Sequence, residues 1–420
     1  TTKILVASHS HEITGGAEKS LLEIIKQLDG DRRFDVTVAL PYKGSFQSAL
    51  KDLGIRYKIL TYGWGAAQGK YDEKKLREAN TQALTRVFSY LSKSKTDIVL
   101  TNTSVVPWFA YCCKALGIPH AWFIRELIGT ADDIEYYPSN GYVIKTIKES
   151  SLIFANSQTT KEYYETLMDR TDIHVIYPHL DTHNLPKSIS TQPGEGDTLK
   201  IIVVGAVTGD KKQFEVLQAI NLLHKDGYNL RVTILGKTAS IQYRKTLDRF
   251  IIDNELADVV SFVEHTPNPY PIIAQHDFCA VPSANESFGR VAIEAMLLGR
   301  IVIGANAGGN SETITDNVNG ILYKSGDPKD LAEKINDIWS DKQRMGILSK
   351  RARTDSYDKY VKRSDTDSIN DTVFNYMSDQ NTNITADWLS QLALNEANKV
   401  SALIRDVTDQ MTIVHKRDLV

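Results

Sequence analysis

Two glutamates stand out by type and spacing. The segment Pro282-Ser283-Ala284-Asn285-Glu286-Ser287-Phe288-Gly289-Arg290-Val291-Ala292-Ile293-Glu294 follows an apolar run, Phe278 to Val281, that reads as a buried strand. A glycine-bearing loop comes next, and small and apolar residues to Leu298 then read as a helix. Gly289 and Arg290 fall at the N-terminus of that helix. Backbone amides there lack intrahelical partners and the helix dipole is positive, so the end suits an anion such as a diphosphate. Glu286 sits in the loop just before it. Glu294 falls on the first or second turn, where a carboxylate can accept two hydroxyls at once, as a ribose needs. Two glutamates at this spacing are ordinarily a cap and a surface residue. Here strand, glycine loop and helix agree, which favours the ligand-binding reading.

Short β-rich runs and helical patterns alternate along most of the chain. Lys3 to Ser8, Val36 to Leu40, Tyr57 to Leu60, Asp97 to Thr101, His120 to Ile124, Leu152 to Ala155 and His174 to Tyr177 read as strands. Ala17 to Leu28 repeats apolar residues at helical spacing. Such alternation implies parallel sheets with helices on both faces. It breaks in a polar stretch rich in Pro, Gly, Ser and Thr. It then restarts at Leu199 to Val204, with Leu230 to Leu235, Val259 to Val263, Phe278 to Val281 and Ile301 to Ile303. The expected domains are 1–182, a linker at 183–198, a second domain at 199–350, crossover helices at 351–377 and a helical tail at 378–420. The tail carries Leu389, Leu392, Val400, Leu403, Val407, Met411 and Val414 on one stripe. The stripe suits docking on the body or pairing with another copy.

The residues Glu286-Ser287-Phe288-Gly289 and Glu294-Ala295 resemble the Glu-x7-Glu donor motif of retaining glycosyltransferases of family 4. The flanking text agrees: Val203-Val204-Gly205 with Lys211, Gly308-Gly309 with Glu312, and Gly15-Gly16-Ala17-Glu18 after the first strand. The resemblance covers about residues 3–377. It implies the GT-B fold, two Rossmann-like domains facing a central cleft, with an acceptor domain first and a nucleotide-sugar donor domain second. It also implies roles. Glu294 would bind the donor ribose, and Glu286 would face the donor sugar and diphosphate. The amides of Ser287, Phe288 and Gly289 would hold phosphate. Lys211 would neutralise the diphosphate as charge develops on the leaving group. Gly15 and Gly16 would let the first-domain backbone approach the donor phosphate, and Gly205 would do the same service in the second domain.

The text departs from the family at two places. Family members often carry Arg after the glycine matching Gly205; here that residue is Ala206, and Lys212 or Arg290 is left to compensate. Many members also place a His at the end of the fifth strand, where this chain has Arg125 and Glu126. These two are candidate catalytic or sugar-binding residues, and a buried ion pair is the plainer alternative. His120, earlier in the same strand, reads as a satisfied structural histidine. His265 is a candidate for the donor base. His9, His11 and Asn102 are candidates for the acceptor side.

No metal and no cofactor are expected, because the nucleotide sugar is itself a substrate and no Asp-x-Asp cluster stands near the motif. Expected partners are a nucleotide-sugar donor and a glycan or lipid-linked acceptor, with synthesis of cell-surface polysaccharide as the setting. The helix over Asp72 to Lys95 carries Lys74, Lys75, Arg77, Arg86, Lys93 and Lys95 beside Leu84, Phe88 and Leu91. It suits either a membrane-surface contact or an ordinary packed helix with a solvated basic face. The 420 residues are too many for one ordinary core. A formal net charge of -3 gives no drive toward nucleic acid. No apolar run nears the roughly 20 residues of a membrane span, and no leader-like segment is evident, although the chain opens Thr1-Thr2 rather than Met. The location read from this is cytoplasmic, at most peripheral to the membrane. Three cysteines make no disulfide framework. A dinucleotide-dependent dehydrogenase is excluded, since no Gly-x-Gly-x-x-Gly follows a strand. A nucleotide-sugar 2-epimerase of the same fold, and an inactive partner subunit, remain as alternatives.

Overall fold

The structure, a computed structural model, describes residues 1–68, 72–130, 134–178, 180, 182, 185–186, 193–362, 369–381 and 401–407. They fall into two compact units, Thr1–Pro178 with Asp365–Val420, and His179–Ser364.

Unit 1 contains β1 (Thr2–Ala7), β2 (Phe34–Leu40), β3 (Arg56–Ile59), β4 (Ala66–Gln68), β5 (Ile98–Asn102), β6 (His120–Ile124), β7 (Ile134–Tyr136), β8 (Leu152–Ala155) and β9 (Ile173–Val175). Seven of these form a parallel sheet in the order β3-β2-β1-β5-β6-β8-β9. Successive residues of β1 serve opposite faces. Leu5 and Ala7 enter one apolar core, Ile4 and Val6 the other, and helices cover both. That is why the strand reads as a continuous apolar run rather than an alternating one. β4 and β7 pair antiparallel as a separate ribbon. Each is only three residues long, too short to show a period, and the sequence pattern missed both.

Unit 2 contains β10 (Leu199–Val204), β11 (Leu230–Leu235), β12 (Val260–Val263), β13 (Phe278–Val281), β14 (Ile301–Ala305) and β15 (Ile321–Tyr323). All run parallel in the order β12-β11-β10-β13-β14-β15. In each sheet the chain builds outward from a central strand, then returns to build on the other side. The switch lies between β1 and β5 in unit 1 and between β10 and β13 in unit 2. Loops at the C-terminal ends of such a pair diverge and leave a crevice, where ligands of open α/β sheets bind.

The domain limits differ in detail from the sequence expectation. The helix Lys342–Tyr360 runs straight through residue 350. Within the expected linker, Leu185 packs on the unit 2 core and the Gly194 amide donates to Asp277 Oδ1 at 2.7 Å. Residues 183, 184 and 187–192 lie outside the described ones. The chain returns to unit 1 in the helix Ile369–Asn381, whose Ile369, Val373 and Met377 are buried with Leu28. Arg33 secures it, donating to Asp371 at 2.8 Å and lying over the Phe374 ring. Of the tail stripe, Leu403 and Val407 are described. Val407 is fully buried in the unit 1 core, and Tyr142 donates to Asp406 at 2.8 Å. Leu389, Leu392, Val400, Met411 and Val414 lie outside the described residues.

The basic helix spans Glu73–Leu91. Its Leu84, Phe88 and Leu91 are buried in unit 1, so the apolar stripe is already spent on the core. Among the described residues no helix is long and apolar enough to cross a membrane. Cys112, Cys113 and Cys279 are buried thiols whose pKa values burial pushes up.

Candidate functional site

In unit 2 the two loops leaving the switch point each send a side chain to meet the other. After β10 the chain passes Gly205 and Ala206 and enters a 3-10 turn at Gly209–Lys211. A Cβ on Gly236, just past β11, would lie 2.0 Å from the Gly205 carbonyl oxygen, so this approach requires glycine. Fully buried Gln213 donates to the Ala206 carbonyl at 2.8 Å and holds the turn from behind. The Lys211 ammonium is thereby delivered to the loop after β13, where it pairs with the Glu286 carboxylate.

That second loop rests on a glycine pair. The Gly309 amide donates to the Glu286 carbonyl at 2.6 Å. Gly308 adopts φ +54°, and a Cβ there would stand 2.7 Å from the same oxygen. Fully buried Asn310 donates from Nδ2 to the carbonyls of Val281 and Ser283, both at 3.1 Å, and ties down the end of β13. Gly289, at φ +74°, caps the helix Arg290–Leu297 in a conformation that a side chain would strain. Glu294 lies one turn in and is buried. Its Oε1 accepts from Arg290 Nε at 2.7 Å and, more distantly, from the Tyr270 hydroxyl at 3.4 Å. Burial, and then the Glu294 charge, push Tyr270 up to about 12, so its hydroxyl keeps its proton at neutral pH. Both cations beside this helix end thus face a carboxylate. An arriving phosphate must share or displace those partners.

Unit 1 carries a buried polar chain across the ends of β1, β5 and β6. Arg125 Nε donates to Asn102 Oδ1 at 2.7 Å, and Asn102 Nδ2 meets His9 Nδ1 at 3.1 Å. His9 Nε2 lies 2.8 Å from Glu18 Oε1, and Glu18 Oε2 accepts from the Gly15 amide at 2.8 Å. All four side chains belong to buried residues. Burial alone would raise the Glu18 carboxyl, but the hydrogen bonds from His9 and Gly15 outweigh it and hold the group below the usual range. A Cβ on Gly15 would press on Glu18 Oε2 at 2.8 Å. Gly16 is the first residue of the helix Gly16–Asp29.

The remaining candidates separate. Arg125 and Glu126 turn to different partners: Glu126 Oε2 accepts from the amide and hydroxyl of Ser104, both at 2.9 Å, while the Arg125 guanidinium lies 4.1 Å over the Phe123 ring. Both ring nitrogens of His9, expected on the acceptor side, are held within unit 1, and the exposed Trp64 ring donates to its carbonyl at 2.8 Å. His9 links other groups rather than facing solvent. His11 stays part-exposed, edge-on to the exposed Tyr42 ring at 5.4 Å. His120 is structural, bonded to Thr101 at 2.8 Å and Ser150 at 3.1 Å, and burial pushes it down to about 3. His265 sits exposed in the loop after β12. The Phe288 ring is buried edge-on to Tyr360 at 5.6 Å, which leaves its backbone to the loop. Arg290, one of the two residues left to compensate for Ala206, is paired with Glu294.

Two residues of these sites escaped the sequence reading, and a third, Glu18, was quoted in the first glycine loop without a role, although its capping-box spacing from Gly15 was a readable signal. Asn310 stood beside the quoted Gly308-Gly309 pair. Tyr270 had none, because its place beside Glu294 depends on helix packing.

Comparison with known proteins bears on the family and the fold. Residues 14–184 match the family model "Glycosyltransferase Family 4", and residues 187–355 match "Glycosyl transferases group 1". A D-inositol 3-phosphate glycosyltransferase of Paenarthrobacter aurescens is 33% identical over 178 residues, 40% of this chain and 42% of its own length. The capsular polysaccharide biosynthesis glycosyltransferase CapM of Staphylococcus aureus is 26% identical over 159 residues, 37% of this chain and 41% of its own. These alignments span about two-fifths of each relative. Anabaena Alr3699/HepE, solved with UDP and glucose, shares the fold. Its TM-score is 0.72 at 23% identity, covering 90% of this chain and 100% of that one.

Proposed function

This chain belongs to the family 4 type of GT-B glycosyltransferases, and from that premise we propose that it moves a hexosyl unit from a nucleoside diphosphate sugar to a hydroxyl of a glycan or lipid-linked glycan, with retention at the anomeric carbon. The bond from that carbon to the diphosphate breaks and a bond to the acceptor oxygen forms. The acceptor's hydroxyl proton leaves with the nucleoside diphosphate. The observation that carries the reading is the meeting of Lys211 and Glu286 at the unit 2 switch point, beside the helix end capped by Gly289. A lysine and a helix N-terminus there suit a diphosphate that gains charge as it departs. Glu294 suits a ribose diol. HepE was solved with UDP and glucose, and CapM acts in capsular polysaccharide synthesis; both support a sugar nucleotide as donor and a cell-surface polysaccharide as product. Exposed Tyr42 and Trp64, with His11, offer ring faces to an acceptor sugar in unit 1.

Lys211 and the helix amides supply the charge stabilisation, so transfer runs without a divalent ion. The test is incubation with UDP-, GDP- and dTDP-sugars plus a panel of glycan and lipid-linked acceptors, in EDTA, with nucleotide release and product anomericity followed. Turnover in EDTA with a retained anomer is expected. No release with any donor refutes the transferase reading. Strict dependence on added Mg²⁺ or Mn²⁺ refutes the metal-independent mechanism.

A further inference from the structure

We propose that Glu18 is a positioning residue of this enzyme, the common acceptor of a hydrogen-bond chain that ties the Gly15-Gly16 turn to Arg125; the inference rests on the transferase reading above. The direction of the chain is forced link by link. A guanidinium only donates, so Arg125 Nε bonded to Asn102 at 2.7 Å fixes the amide oxygen on that side. The Asn102 nitrogen must then donate to His9 Nδ1, 3.1 Å away. With Nδ1 accepting, the ring proton sits on Nε2 and is donated to Glu18 Oε1 at 2.8 Å. The other carboxylate oxygen accepts the Gly15 amide. Only the Nε2–H tautomer of His9 satisfies every member.

The two ends of this chain are a guanidinium and the first turn of a helix. Both lie at the C-terminal edge of the unit 1 sheet, next to the β1/β5 switch point. The apolar cores on the two faces of that sheet do not need buried polar groups, and each such group costs free energy unless paired. What the chain adds is a fixed spacing between Gly15 and Arg125. Glu18 and His9 reach the substrate through those ends.

The directionality supplies the test. In Glu18→Gln the amide has one accepting oxygen, so either His9 Nε2–H or the Gly15 amide faces a donor. Adding Asn102→Asp reverses the two inner links of the chain. The new aspartate accepts from Arg125 and from His9 Nδ1–H, His9 Nε2 accepts from the glutamine, and the glutamine oxygen accepts from Gly15. Net charge is unchanged from the parent. Transfer should fall on the order of 10²-fold in Glu18→Gln, as small displacements of positioned groups cost, and recover at least about tenfold in the double variant. Nitrogen-15 NMR of the histidine rings should show Nε2–H for His9 in the parent and Nδ1–H in the double variant. Circular dichroism checks that each is folded. Where Glu18→Gln does not fold, Asn102→Leu cuts the chain at its middle and should lose turnover while folded. A double variant no more active than Glu18→Gln overturns the proposal, as does an Nδ1–H parent or a fully active Asn102→Leu. A parent with no transferase activity would refute the functional reading instead, and the tautomer measurement would still judge the chain.

Discussion

Replacing Glu286 by glutamine should do two opposite things. Its carboxylate holds the Lys211 ammonium in a direct ion pair. The incoming diphosphate needs that same ammonium, so Glu286 competes with the ligand in the ground state. Unit charges in contact interact by roughly 1 kcal/mol in water-like surroundings and about 4 kcal/mol at an effective dielectric of 20. The Lys211 side chain is 37% exposed and that of Glu286 is 19% exposed, so screening favours the lower figure. Glu286 also repels the phosphates directly, a contribution of similar size. Together they predict that Glu286→Gln binds nucleoside diphosphate tighter by about 1–2 kcal/mol, roughly 5- to 30-fold. Turnover should move the other way, down about 10²-fold, because a group facing the reacting sugar contributes in the transition state. Titration calorimetry with UDP, GDP or dTDP, whichever binds the parent, measures the first effect, and steady-state transfer the second. Weaker diphosphate binding would show that Glu286 aims Lys211 rather than competing for it. Unchanged turnover would remove Glu286 from the reaction.

Glu294→Gln should instead weaken nucleoside diphosphate binding, by about 1–3 kcal/mol for a lost charged hydrogen bond, with Arg290 left beside an amide; unaltered affinity would remove Glu294 from the ribose site. His120 predicts an acid-side loss of stability. Burial holds the folded ring at about 3 against about 6.5 unfolded, so its contribution is complete above about pH 6.5 and falls as pH drops toward 3, by up to about 1.4 kcal/mol per pH unit. Urea unfolding followed by tryptophan fluorescence should show a smaller loss between pH 7 and 5 for His120→Asn than for the parent, and equal losses would refute this. For the tail, Val407→Asp puts a charge into the unit 1 core and should cost more than about 2 kcal/mol without changing the mass seen by light scattering. A halved mass would mean that the segment joins two copies.

Much of this protein was legible in its sequence, for reasons that are local. Strand–helix alternation marked two parallel sheets, because a strand buried on both faces must be apolar throughout, as Ile4 to Ala7 and Ile201 to Val203 are. The glycine loops were legible because Gly289 needs a left-handed backbone and Gly308 accepts a neighbour's main chain. Three short strands, β4, β7 and β15, left no period to read. Partnership was the other thing hidden. Lys211 meets Glu286 across 75 positions of sequence, and Asn102 meets His9 across 93. Such pairs follow from strand order and from which loops diverge at a switch point, and no local spacing encodes either. Tertiary structure alone decided that His9 is enclosed while His11 stays part-exposed, and that Arg125 joins Asn102 while Glu126 turns to Ser104. Residue type states which bonds a side chain can make, and packing selects which of them it makes by burying it beside one partner and away from water.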